Sequence, residues 1–144
     1  MKSVKQILQD KENEVWKVTP DTTVFDALEL MAEKNIGALL VLDADKLIGI
    51  FSERDYARKV ILKGKASRNT HIKEIMSTKV LYVGPDQSIE ECMALMTDKR
   101  IRHLPVLAGD ELLGIISIGD VVKAIISEQE ITIHWLEKYI SGEK

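Results

Sequence analysis

Cysteine occurs once in the 144 residues, at Cys92. A single thiol closes no intrachain disulfide and builds no thiolate metal cage, which suits a reducing compartment. Aromatic residues make up only 5% of the chain, so Ile, Leu, Val and Met must fill any core. Neither sign of charge dominates: the formal net charge is −3 and the charges are interspersed. Such a chain projects no global field toward nucleic acid or an anionic membrane, and neither is expected as a partner. Long hydrophobic runs are also missing. The longest, Ile36–Leu42, is far too short to span a bilayer, and the N-terminus lacks the apolar stretch of a secretory signal. These features predict a cytoplasmic globular protein. Three scattered histidines with one cysteine predict no metal site.

What is present is a duplication. Shifted by 65 residues, the segment from Val18 to Asp55 lies without a gap on Val83 to Asp120, with 16 of 38 positions identical. Pro20-Asp21 meets Pro85-Asp86, Leu30-Met31 meets Leu95-Met96, and Gly49-Ile50 meets Gly114-Ile115. A weaker match, Val4–Leu8 with Ile72–Met76, precedes each copy. The repeats are thus assigned to 1–67 and 68–144, the second with an extended C-terminal helix. Internal self-similarity of this kind marks one structural unit used twice.

Within each copy the periodicity changes in a fixed order. A short β-rich run, Val15–Val18 or Val80–Val83, comes first. Thr23-x-x-Asp26 and Ser88-x-x-Glu91 then read as helix starts that satisfy orphan amides. Apolar stripes follow at helical spacing: Val24, Ala27, Leu28 and Met31, and Ile89, Cys92, Met93 and Met96. Two strand-like runs flank a polar turn in each copy and read as a hairpin, and a helix beginning at Ser52 or Ser117 closes the unit. The fold class is α/β of the α+β type, each repeat running strand, helix, strand, strand, helix. One such unit alone buries too little surface for comfort. The two are expected to pack about a pseudo-twofold axis, with related clefts between them.

Each hairpin ends in the same pattern, Gly-x-x-Ser-x-x-Asp: Gly49, Ser52 and Asp55, then Gly114, Ser117 and Asp120. A serine where strand becomes helix offers a hydroxyl beside free N–H groups that favour a phosphate. An aspartate one turn later is acceptor-only and can grip both hydroxyls of a ribose. The same spelling also makes a plain capping box that needs no ligand.

Together with Pro-Asp before each long helix and Ile-Arg-His-Leu-Pro-Val at 101–106, this duplicated pattern resembles the CBS-domain family in its paired, stand-alone form (the Bateman module). The resemblance implies binding of adenosyl ligands such as AMP, ADP, ATP, NAD(H) or S-adenosylmethionine, no catalytic cofactor, and regulation of a partner protein through dimers. It implies that Asp55 and Asp120 grip ribose and that Ser52 and Ser117 contact phosphate or ribose. The backbone at Gly37-Ala38 and Arg102-His103, with Leu39, Ile101, Leu104 and Pro105 beside them, would line the adenine pocket. Thr19 would contact the nucleoside, and Val18, Val83, Ile50 and Ile115 would wall the base. Arg54 sits between Ser52 and Asp55, where the second copy has Gly119. With Arg102, His103 and Lys34 or Arg100, Arg54 is expected to neutralise phosphate, and the Asp120 cleft is expected to bind more tightly.

The expected function is therefore an adenine-nucleotide sensor that controls a regulated protein. A ligand-free dimerisation scaffold is the alternative. A nucleotide-using enzyme is disfavoured, because no P-loop, Gly-x-Gly-x-x-Gly or nucleophile elbow occurs. Ile118–Ile140 carries Val121, Val122, Ile125, Ile126, Ile133, Leu136 and Ile140, more apolar side chains than a closing helix needs. Part of that stretch is expected to pack on a second copy, giving a homodimer or a dimer of dimers.

Overall fold

The computed structural model describes residues 2–11 and 15–141. Its two longest matched helices start and stop as their sequences dictate. In α2 (Val24–Lys34) the Thr23 hydroxyl accepts from the Asp26 amide at 3.2 Å, and in α5 (Ile89–Lys99) the Ser88 hydroxyl accepts from the Glu91 amide at 3.1 Å. Both helices end on a left-handed residue, Asn35 (φ 53°) and Arg100 (φ 55°). That turn lets the amides of Ile36 and Ile101 reach back to the carbonyls of Met31 and Met96. Of the apolar stripes Val24, Ala27, Met31, Ile89, Cys92 and Met96 are buried and Leu28 and Met93 partly so, and burial pushes the Cys92 thiol up to about 11. Among the described residues no helix is long and apolar enough to cross a membrane.

One compact unit comprises residues 14–81. Strand β1 (Lys17–Val18) lies parallel to β2 (Ala38–Asp43), which pairs antiparallel with β3 (Lys46–Ser52). In that register Ala38 faces Ser52 and Leu40 faces Ile50. The chain then turns into α3 (Glu53–Tyr56) and a π-helical turn at Ala57–Ile61, and later forms a 3-10 turn (Ser67–Asn69) and α4 (Ile72–Ile75). Val24, Met31, Leu39, Val41, Phe51, Val60, Ile72 and Ile75 form its core.

The other unit joins the segment through Lys11 with the chain from Tyr82 onward. It contains α1 (Val4–Asp10), α5, the hairpin β4 (His103–Ala108) and β5 (Glu111–Ser117), and the long α6 (Ile118–Ser141). Its hairpin repeats the first in register, with His103 opposite Ser117, and in the irregularity one residue past mid-strand. The leading strand differs: only a single bridge forms, Val83 with Val106. Proline explains the loss. Extending the parallel ladder by one residue needs an amide hydrogen at position 105, where the first copy has Leu40 and this copy has Pro105.

The compact units cut across the repeats of sequence at 67/68. Helix α1 is held to the start of the second repeat, Val4 N–H donating to Gln87 O and Lys5 N–H to Pro85 O, both at 2.9 Å. Residues 68–81 fold with the first repeat: Val24 N–H donates to Thr70 O and Ile72 N–H to Thr22 O, both at 2.8 Å. Each repeat's leading segment thus packs on the other repeat's hairpin, and the glycine of each hairpin makes room for it. A Cβ on Gly49 would lie 2.7 Å from Met76 Sδ and 3.1 Å from Ser77 O, and one on Gly114 would lie 2.8 Å from Leu8 Cδ2. The second clash is with the end of a flexible side chain, whereas the first also meets backbone. Gly49→Ala should therefore cost about 1–3 kcal/mol of unfolding free energy and Gly114→Ala distinctly less, read by urea titration.

Candidate functional site

Both Ser-x-x-Asp corners form complete capping boxes. In the first unit Ser52 Oγ accepts from the Asp55 amide at 3.3 Å. Asp55 Oδ2 accepts in return from the Ser52 amide at 2.9 Å and from its hydroxyl at 3.2 Å. The other oxygen, Oδ1, accepts from Ser77 Oγ at 3.2 Å and lies 3.2 Å from Lys59 Nζ. Asp55 is almost wholly buried, one of two buried polar residues among those described. Lys59 also donates to Ile75 O at 3.1 Å, at the end of α4. Beside the corner, Ile50 exchanges both backbone hydrogen bonds with Ser77, at 3.0 and 2.9 Å.

The second corner is built from fewer parts. Ser117 Oγ accepts from the Asp120 amide at 3.1 Å, and Asp120 Oδ2 accepts from the Ser117 amide at 2.8 Å. Lys11 Nζ lies 2.8 Å from the same Oδ2 and donates to Ile115 O at 3.0 Å. Burial works against the Asp120 charge, but the Lys11 hydrogen bond and charge and the Ser117 bonds outweigh it, leaving the carboxyl below its ordinary 3.8. A carboxylate whose folded pKa is depressed stabilises the fold above its unfolded value and loses that contribution as pH falls through the folded one. The stability gap between the wild type and Asp120→Asn should therefore be full at pH 7 and shrink below pH 3.8, as read by denaturant titration across that range.

The remaining residues expected at the site separate into groups. Ala38 and His103 stand in register opposite Ser52 and Ser117. The carbonyls before them cap the following helix starts, Glu53 N–H donating to Gly37 O at 3.1 Å and Ile118 N–H to Arg102 O at 2.8 Å. Ile50 and Ile115 are half-buried and alternate with the buried Phe51 and Ile116, so they lie on the sheet face away from the core. Val18 and Ile101 pack partly against their cores, and Thr19 is exposed with its hydroxyl 3.1 Å from that of Thr22. Val83 is fully buried in the second core, with its amide and carbonyl both bonded to β4. Leu39 and Leu104 are likewise core side chains at 0% exposure, and Pro105 is buried, so these three positions present backbone rather than side chain.

The basic residues divide as well. Arg54 and Lys34 belong to residues 14–81, whereas Arg100, Arg102 and His103 belong to the other unit. Lys34 lies over the Trp16 ring at 4.3 Å, and Arg100 is the left-handed cap of α5. A groove of about 330 Å³ in the first unit runs between Leu28, Met31, Ile36, Gly37 and Glu53, and of the expected site residues only Gly37 lines it. Lys11 and Ser77, which touch the two aspartates, were not foreseen. Their only trace in the sequence is the weak match of Val4–Leu8 with Ile72–Met76, which says that the segments correspond but not which hairpin each one joins.

The family model for the CBS domain matches this chain twice, over residues 4–62 and 72–127. The chain belongs to the CBS-domain family. It is a tandem CBS pair of mixed α/β fold, and its relatives agree with that. The mitochondrial CBS domain-containing protein CBSX3 of Arabidopsis thaliana is 42% identical over 129 residues, which is 86% of this chain and 63% of that protein. The CBS pair thus spans less than two thirds of that relative's length. A CBS-domain protein of known structure from Burkholderia ambifaria, described as a candidate for signal transduction, is 55% identical with a TM-score of 0.86, covering 89% of this chain and 96% of its own. The hexameric CBS-CP12 protein of bloom-forming cyanobacteria is 32% identical with a TM-score of 0.75, covering 84% and 70%. None of the three is named as an enzyme.

Proposed function

We propose that this CBS pair is a regulatory module that binds an adenine nucleotide (AMP, ADP, ATP or NAD) at its Ser-Asp corners and thereby controls a partner protein. The observation that supports it most is the equivalence of the two corners. In each, a serine hydroxyl, an aspartate carboxylate and a half-buried isoleucine gather where a hairpin runs into a helix. A ribose diol needs two acceptors, a base needs an apolar face, and a phosphate is favoured by amides at a helix start. Binding that orders such a corner changes the balance of states open to the module, which is what a sensor requires. Thermal-shift measurements with AMP, ADP, ATP, NAD and S-adenosylmethionine test this. Mass action raises the melting temperature for a ligand of the folded state by an amount that grows with its concentration. A melting temperature unmoved by millimolar amounts of all five contradicts the proposal.

The partner is proposed to include a second copy of the chain. The inner part of α6 is anchored, with Val121 and Ala124 buried and Ile125 packed on the core. Val122, Ile126, Ile133, Leu136 and Ile140 are 40 to 84% exposed. With Gln129 these positions step by four and three alternately, the spacing of a two-stranded coiled-coil seam. Sedimentation of the wild type as a dimer and of Ile133→Glu as a monomer is expected. A wild-type monomer at high concentration removes this part of the proposal.

One observation favours a second reading, a scaffold that holds no ligand: each aspartate already has partners within its own unit. The thermal-shift series separates the two readings.

A further inference from the structure

The two hairpins close their outer edges differently. In the first unit the backbone of Ile50 is taken up by the backbone of Ser77. In the second, the matching carbonyl of Ile115 accepts from the ammonium of Lys11, which also holds Asp120. An ammonium has three donors and no acceptor. Here it occupies two acceptors that an entering nucleoside would use, the carboxylate for ribose hydroxyls and the strand backbone beside the base. Lys59 in the first unit is not its equivalent, because it reaches the other oxygen of Asp55 and leaves the Ile50 carbonyl to Ser77.

Lys11 is placed to let go. It follows the last residue of α1 in extended conformation, and its side chain is 34% exposed on a flexible four-carbon stem. What it does after release depends on the ligand. An uncharged nucleoside takes the carboxylate and leaves the ammonium without its anion. A ligand carrying phosphate hands it another anion within reach, and charge-assisted bonds of this kind are the strong ones.

We infer that Lys11 is a ligand-selecting residue of the second unit. It yields Asp120 to the sugar and closes on the ligand's phosphate, so this corner selects phosphate-bearing nucleosides over uncharged ones. The inference rests on the proposed nucleotide reading of the Ser-Asp corner.

The test is a titration of the whole chain with AMP and with adenosine, followed through the amide NMR signals of Gly114 and Gly119, which report on this corner. The wild type should prefer AMP, and in Lys11→Met the preference should fall by about tenfold, with adenosine gaining and AMP losing affinity. Lys11→Arg should keep most of the preference, and it guards against a folding defect peculiar to the methionine variant. A preference unchanged within twofold in Lys11→Met overturns the inference, as does an equal weakening of both ligands. If that happens while Asp120→Ala still weakens binding at least about tenfold, the nucleotide reading stands and only the role of Lys11 falls. If neither ligand moves these signals in the wild type, both fall.

Discussion

Asp55→Ala is expected to lower the unfolding free energy by about 2–4 kcal/mol, and Asp120→Ala by about half as much. The difference follows from what each carboxylate holds. Asp55 takes hydrogen bonds from the amide and hydroxyl of Ser52 and from the hydroxyl of Ser77, and it faces Lys59 as an ion pair. Truncation strands these donors in a nearly buried place, and losing a helix cap alone costs about 1 kcal/mol. It also cuts the tie to Ser77, which holds the segment after α4 against β3. Asp120 is more exposed and takes one amide and one ammonium, which water can satisfy in part. Urea titration of the three proteins, fitted for midpoint and slope, checks the order. An Asp120→Ala loss equal to that of Asp55→Ala would show that the two corners are braced alike.

The largest effect on binding is expected at the other corner. Asp120→Ala should weaken AMP at the second unit by about tenfold to a hundredfold, since a hydrogen bond to a charged group is worth roughly 1.5–3 kcal/mol. Asp55→Ala should leave that unit's affinity within a few-fold. Asp120→Asn separates capping from binding: its amide oxygen still accepts from the Ser117 amide, so the fold is retained, but it lacks the negative charge that draws two hydroxyls at once. It should therefore stay folded, short of the wild type only by the contribution of the lost charge, and still bind AMP at least several-fold more weakly. Calorimetric titration of the variants gives the affinities. Asp120→Asn binding as tightly as the wild type would remove the ribose role.

Much of the fold was legible because local signals agreed with tertiary need. Thr23 and Ser88 announced helix starts, the paired hairpins came out in the same register, and Cys92 sat on the buried stripe. What could not be read was partnership across sequence. Lys11 meets Asp120 and Ser77 meets Asp55 over separations of 109 and 22 residues, and no local rule points from one to the other. The exchange of leading segments escaped for the same reason, and the room that Gly49 and Gly114 leave for it shows only in the fold. A valine ahead of a helix reads equally well as a pocket wall or as core, and the burial of Val83 comes from its pairing with β4. The bare bridge there was foreshadowed by Pro105, whose missing amide hydrogen was visible in the sequence but not its pairing partner.

Equilibrium dialysis of the purified chain against labelled AMP addresses the nucleotide reading most directly. Saturable retention of AMP by the wild type, with the part due to the second unit lost in Asp120→Ala, is the predicted outcome. No retention at millimolar AMP, or retention indifferent to loss of both Asp55 and Asp120, would contradict it.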